Sequence, residues 1–374
     1  MKNMIFILIM LMPLLSNASE QERIEAAVKA SVSKYISEMA NPYWRTGYGS
    51  AFYYIPFDLQ NALRYAKEHR NDTILDDMSA LVLESAKRLK RTQYYAFKSD
   101  KCEVRKLNAP YLMWLPPEKK CAGLPKEIIL ETAQYSYFVA SLLNAITHSD
   151  YPTANMLKVV KIFPRIIAYD TYYRLIFASA PFNRFGWGCG IGDFSGHQNI
   201  AVLTKRLYGK LPGSTNTKPY CNVVTDTELL LLGGVAELIA ADENRIGVTK
   251  DINILYPLLK GHLKGYLVNG SRLLKSRTKD YEISPGIWGQ TFGAGDWDGH
   301  RDYQYSGYNG YAYPKETDKS EKQTAWDISH ARRLVHVLES MLNVAGSVGF
   351  NYPSRQDMER LANQFYYKVF NGDK

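Results

Sequence analysis

The stretch from Thr225 to Ala241 limits the possible folds more than any other. Thr225-x-x-Glu228 is a capping box, and the residues after it, Leu229 to Leu232, Val235, Ala236, Leu238 and Ile239, are apolar around most of a helix. A helix of that kind belongs in an interior, so other elements must surround it. The remaining sequence supplies them as helices. Ser19-x-x-Glu22 caps a first helix carrying Ile24, Ala27, Val28, Val32, Tyr35, Ile36 and Met39 at helical spacing, and Asn41-Pro42 ends it. Helical patterning returns over Phe57 to His69 and Thr73 to Lys90, the latter closing on the basic cluster Lys87 to Arg91. It recurs over Lys126 to Thr147, over Thr153 to Ala178 with a kink expected at Pro164, over Gln198 to Tyr208, and over Asp251 to Leu274 with a break expected at Pro257 or Gly261. Thr324-x-x-Asp327 opens a helix to Ala345, and Ser354-x-x-Asp357 opens the last one, to Phe370.

Between these helices lie segments of a different character. Ala96 to Pro125, with Pro110, Pro116 and Pro117, reads as an irregular excursion. Pro42 to Tyr54 is rich in rings and glycine and includes Trp44 and Arg45; it is read either as a hydrophobic plug or as a wall for stacking sugars. Two further segments share a motif. Gly192-Asp193-Phe194-Ser195-Gly196-His197 and Gly295-Asp296-Trp297-Asp298-Gly299-His300 both read G-D-aromatic-x-G-H, with Trp187 upstream of the first and Trp288 upstream of the second. Either copy alone is explained by a turn whose Asp bonds its own backbone. Two copies with the same Asp and His point to a site. The second copy continues through Arg301, Tyr305 and Tyr308 to Pro314, a run with five tyrosines. No alternating strand set and no Pro/Ser-rich linker interrupts the series, so residues 19–374 read as a single all-α domain.

Residues 1–18 combine a lysine, an apolar run from Met4 to Leu15 and a small-residue end, the layout of a secretory signal peptide. Export is therefore expected, to the periplasm or beyond, with no membrane span in the mature chain. An even set of four cysteines suits that destination. Cys102 with Cys121 and Cys189 with Cys221 is the most local of the three possible pairings. The formal charge of +9 in an exported chain favours an acidic polysaccharide or another anionic surface polymer over nucleic acid. The 28 tyrosines and 6 tryptophans supply flat faces for sugar rings. Oligomeric state is not legible.

Many helices joined by long aromatic segments, with one helix interior, resemble the (α/α) toroid carbohydrate-active enzymes, which include glycoside hydrolases and polysaccharide lyases. The resemblance is one of architecture and composition. Neither the Asn-Asn-His-x-Tyr-Trp signature of alginate lyases nor the Ser-Glu-Gly signature of the chitosanase and cellulase group occurs here, so no catalytic residue is carried over from it. The resemblance implies a toroid-like helical barrel acting on glycosidic bonds.

The candidate groups serve more than one chemistry. Hydrolysis needs a protonated carboxyl and an ionised one, and Asp193, Asp296 and Asp298 are the candidates. Elimination from a uronate needs a base and charge neutralisation, which His197, His300, His330 and the loop tyrosines, with Arg301 or Arg333, provide. Asp193, His197, Asp296 and His300 would also make a ligand set for a divalent metal, although no cofactor is required by either chemistry. The rings of Trp44, Trp187, Trp288, Trp297, Tyr305 and Tyr308 would line a substrate cleft in all of these, or in a protein that binds carbohydrate without turnover. Repetition of Asp with His favours hydrolysis.

Overall fold

The computed structural model describes residues 19–41, 50–96, 104–115, 127–178, 226–250, 252–277 and 328–364. These are mostly helical, with nine α-helices and one β-hairpin among them. The helices are α1 (Glu20–Ala40), α2 (Ala51–Glu68), α3 (Asp72–Ala86), α4 (Ile129–Thr147), α5 (Ala154–Arg165), α6 (Asp226–Glu243), α7 (Pro257–Arg277), α8 (Ile328–Val348) and α9 (Arg355–Gln364). The hairpin strands are β1 (Leu89–Ala96) and β2 (Val104–Trp114). No helix of the described residues is long and apolar enough to cross a membrane.

Local signals set several helix starts. The Ser19 box is formed in both directions: Glu22 N–H donates to Ser19 Oγ at 3.3 Å, and Ser19 N–H to Glu22 Oε2 at 2.7 Å. Ser354 and Asp357 exchange the same pair of bonds, at 3.2 and 2.8 Å, ahead of α9. The boxes at Thr225 and Thr324 and the helix expected over 198–208 lie outside the described residues. Pro257 does not break a helix; it opens α7, where its missing N–H costs no bond. Pro164 closes α5, and the chain continues as a π-helix over Ile166–Ala178.

Two segments fold differently from the expectation. Part of the ring-rich stretch before Phe57 is already helix: Ser50 caps α2 by accepting from Tyr53 N–H at 3.2 Å, and Phe52 is a core residue packed edge-on against Tyr135 at 4.7 Å. For Phe52 the plug reading holds. The excursion after α3 is not irregular throughout. Helix α3 ends at Ala86, and the basic cluster leads into the antiparallel hairpin, with Leu89 opposite Trp114 and a bulge between Thr92 and Tyr94. Leu107, Tyr111, Met113 and Leu115 form a small apolar cluster of their own, joined by Tyr173 of the π-helix.

The packing alternates along the chain. Helix α2 packs on α4, α4 on α6 and α6 on α8, whereas α3 packs on both α1 and α5, and α7 packs on α6. Helix α6 is interior, as its composition requires: Leu229 to Leu232, Val235, Ala236, Leu238 and Ile239 are all buried. Where α6 crosses α4 the backbones come close. A Cβ on Gly234 would lie 1.8 Å from Tyr172 Oη and 3.3 Å from Tyr137 Cα, so only glycine fits there without a shift. A buried ion pair secures the π-helix: Arg174 donates to both oxygens of Glu127, at 2.6 and 2.8 Å, and to the Asp170 carbonyl.

Candidate functional site

Helices α2, α4, α6 and α8 line two adjoining cavities that are partly open to solvent. The larger, of about 570 Å³, is lined from the C-terminal halves of all four, from Gln60 and Arg64 through Tyr137, Asn144 and Glu237 to His336, Glu339 and Ser340. The smaller, of about 120 Å³, is lined by their N-terminal halves, including Phe57, Gln134, Leu230 and Arg333. Gln60, Tyr137 and His336 line both. The four helices therefore point the same way along one internal axis.

Glu237 is the centre of the polar network. It is buried, with Asn144 Nδ2 donating to one oxygen at 2.5 Å and Ser340 Oγ to the other at 2.5 Å. The Ser340 proton is thus committed, so the Tyr137 hydroxyl, 3.0 Å away, donates to Ser340. One carboxylate in this way ties α4, α6 and α8 together. Burial, and after it the Glu237 charge, pushes the Tyr137 phenol far above its ordinary range, so it stays protonated. Glu339 lies in the same cavity, 2.6 Å from Arg64 of α2. Burial raises its pKa; Arg64 opposes the shift and the Glu237 charge adds to it.

Three amides in the cavity walls are oriented by their partners. Gln134 Nε2 donates to the Tyr53 carbonyl at 2.6 Å, and Asn144 Nδ2 to Glu237, acceptors that take only an N–H. Gln60 Nε2 donates to Ser141 Oγ at 3.2 Å, because the Ser141 proton goes to the Tyr137 carbonyl. Gln60 Oε1, Gln134 Oε1 and Asn144 Oδ1 are left buried, with no hydrogen bond to any described protein atom.

Of the residues singled out from sequence, Arg333 and His330 are among the described residues. Arg333 lines the smaller cavity, buried, with its guanidinium 4.9 Å from the centre of the Phe57 ring and 3.5 Å from the Tyr53 hydroxyl. His330 falls in the first turn of α8, on the same helix. Asp193, His197, Asp296, Asp298, His300, Trp44, Arg45, Trp187, Trp288, Trp297, Arg301, Tyr305, Tyr308 and the cysteines Cys102, Cys121, Cys189 and Cys221 lie outside the described residues. Among the described residues there is no group of three or more His, Cys, Asp or Glu side chains arranged to hold a metal.

The sequence reading missed Glu237, Glu339, Asn144 and Gln60. For Glu237 a signal exists: it is the one carboxylate within the run Leu229 to Ala241. An acid kept in such a helix is costly unless partnered. Compared with known proteins, the chain matches no family model, no curated sequence and no solved structure.

Proposed function

We propose that the chain is an exported carbohydrate-active enzyme, an (α/α) toroid that cleaves glycosidic bonds of an acidic polysaccharide by acid/base hydrolysis. One observation carries the reading, and it concerns how the chain connects its helices. At the C-terminal ends of α2, α4 and α8 the connections are short: residues 69–71, 148–153 and 349–354. Residues 244–256 do the same for α6. The two longest segments lead into the opposite ends: residues 179–225 into α6 and 278–327 into α8. These segments carry both G-D-aromatic-x-G-H copies and the Tyr-rich run. They join the bundle at the end where Arg333 lines the smaller cavity. Functional groups gathered on long connections at one end of a rigid helical scaffold are the usual layout of a site. The helix α1 also begins at Glu20, just after the expected cleavage point of the signal peptide, which supports export.

Elimination is the second reading, favoured by the closeness of the Arg333 guanidinium to the Tyr53 hydroxyl, a cation and a phenol of the kind that reaction uses. Digestion of a panel of neutral and anionic polysaccharides, read for new reducing ends and for unsaturated products absorbing in the ultraviolet, decides between them. Reducing ends without that absorbance are expected; the absorbance would establish a lyase. Absence of both products, with binding retained, would leave a carbohydrate-binding protein. Asp296→Ala and His300→Ala should each abolish turnover with thermal unfolding nearly unchanged. Full activity in both would remove the G-D-aromatic-x-G-H assignment.

A further inference from the structure

We infer that the face built by α5, the π-helix and the hairpin is an anchoring surface for an acidic polysaccharide, separate from the cavities between α2, α4, α6 and α8. The basic face stands on its own observations; the choice of a polysaccharide over another polyanion rests on the exported, carbohydrate-active reading above.

The asymmetry of charge begins in the sequence. The whole chain has 46 Lys and Arg against 37 Asp and Glu, whereas α5, the π-helix, β1 and β2 together have eight against one, Asp170. The fold turns this excess outward. Met156, Val159, Val160 and Phe163 form the buried side of α5, which leaves Lys158, Lys161 and Arg165 exposed at helical spacing on the other side. Lys90, Arg91 and Lys106 are exposed on the hairpin. The two sets meet at Asp170. Its carboxylate accepts from Leu112 N–H at 3.2 Å, and Leu112 is the register partner of Arg91. Burial pushes the Asp170 carboxyl above its ordinary range, opposed by that N–H and by the charges of Arg91, Arg165 and Arg174, so a cation of the hairpin and a cation of α5 both reach one point.

These cations are available. None of the six exposed ones ion-pairs with a described residue, and none lines either cavity. Nearby carboxylates of α3 are engaged elsewhere: Asp76 accepts from Thr153 and Asn155, and Glu84 pairs with Lys87. Rings accompany the charges. Tyr169, 36% exposed, is held against Tyr173 at 5.2 Å and Tyr111 at 5.5 Å, and Tyr94 of β1 is 45% exposed. A fixed ring beside a row of cations suits a chain of sugar rings that carry carboxylates. A membrane surface would require a row of apolar side chains to insert, but the apolar row of α5 faces the core and only Ile162 is exposed on that helix. Single exposed ion pairs are weak, so anchoring depends on several at once and on low salt.

The test is binding of the mature chain to immobilised polygalacturonate, alginate and hyaluronan, beside neutral dextran, phosphatidylglycerol vesicles and single-stranded DNA. At least one acidic polysaccharide should bind more tightly than the other probes. Raising salt from about 0.1 to about 1 M, which shortens the screening length from about 10 to about 3 Å, should abolish that binding. The triple variant Lys158→Gln, Lys161→Gln, Arg165→Gln should weaken it about tenfold, as the loss of three exposed pairs together implies. Arg91→Gln with Lys106→Gln tests the hairpin half and should weaken it in the same direction. Arg23→Gln, Lys29→Gln, Lys34→Gln removes equal charge from exposed positions of α1 and should stay within about threefold of the parent, since charges beyond a screening length contribute little. Circular dichroism with a cooperative thermal transition verifies that each variant is folded. An equal loss in the α1 control, no loss in either face variant, or tighter binding to vesicles or DNA would overturn the proposal. Polysaccharide cleavage with binding that ignores the face variants would overturn it too and leave the enzymatic reading standing. Binding that follows the face variants in a protein that cleaves nothing would support the anchoring surface and remove the enzymatic reading.

Discussion

Replacing Gly234 with alanine puts the close contact between α4, α6 and the π-helix to a quantitative test. The added Cβ would lie 1.8 Å from Tyr172 Oη and 2.6 Å from its Cζ, and Tyr172 is fully buried, so its ring has little room to withdraw. Overpacking of this kind costs about 1–3 kcal/mol. Against it stands the preference of a helix interior for alanine over glycine, about 0.8–1.0 kcal/mol. At 1.8 Å from a buried ring the cost falls in the upper half of that range, about 2–3 kcal/mol, so steric cost wins by about 1–2 kcal/mol, which corresponds to a fall in Tm of about 1–3 °C for a domain this large. Gly261 in α7 is the matched control: a Cβ there meets nothing within 4 Å, so Gly261→Ala should stabilise by about 0.5–1 kcal/mol. Adding Tyr172→Phe to Gly234→Ala removes the closest atom and should recover part of the loss. Differential scanning calorimetry or chemical denaturation reads all four proteins. If Gly234→Ala is as stable as the parent, or responds as Gly261→Ala does, the packing of α6 described above is wrong.

Two further predictions concern buried charge. Arg174→Met leaves Glu127 buried and should cost about 3–5 kcal/mol in denaturant unfolding, much of it recovered by adding Glu127→Leu; equal stability of the single variant and the parent would contradict the ion pair. Glu339 has its pKa raised by burial, so its protonated form is favoured in the folded state, and the stability it contributes is present at low pH and lost as pH rises through the folded value. Glu339→Gln should therefore gain stability relative to the parent as pH rises from about 4.5 toward neutrality; a relative loss over that range would mean that the bridge to Arg64 outweighs burial.

The hairpin shows where sequence patterning stopped. Leu107, Tyr111, Met113 and, just past the end of β2, Leu115 fall at every second position counted from Tyr111 and pack as one cluster, while Trp114 is buried in the main core. Leu112 and Trp114 fill the intervening positions and Pro110 removes a ladder donor, so the alternation was masked. The basic residues from Lys87 onward resemble a helix end, yet Leu89 pairs with Trp114, a partner distant in sequence. Strand pairing of this kind depends on a contact that local composition does not encode. The candidate site divides in the same way. Arg333 was marked by its neighbourhood in the chain, whereas Gln60, Asn144 and Glu339 occupy unremarkable helical positions and matter because three other helices face them.

What the sequence by itself determined is what short-range physics governs. The capping boxes at Ser19 and Ser354 place two helix starts because side chain and backbone meet within one turn. The interior position of α6 follows from composition, since a helix apolar on nearly all sides has no stable place at a surface. Only the tertiary structure decided which helices surround α6, that α2, α4, α6 and α8 point one way, and that Glu237 is held between Asn144 and Ser340, residues 93 and 103 positions away. Those outcomes depend on packing across long loops, and the cost or benefit of a buried carboxylate or amide is set by the partners that packing brings to it.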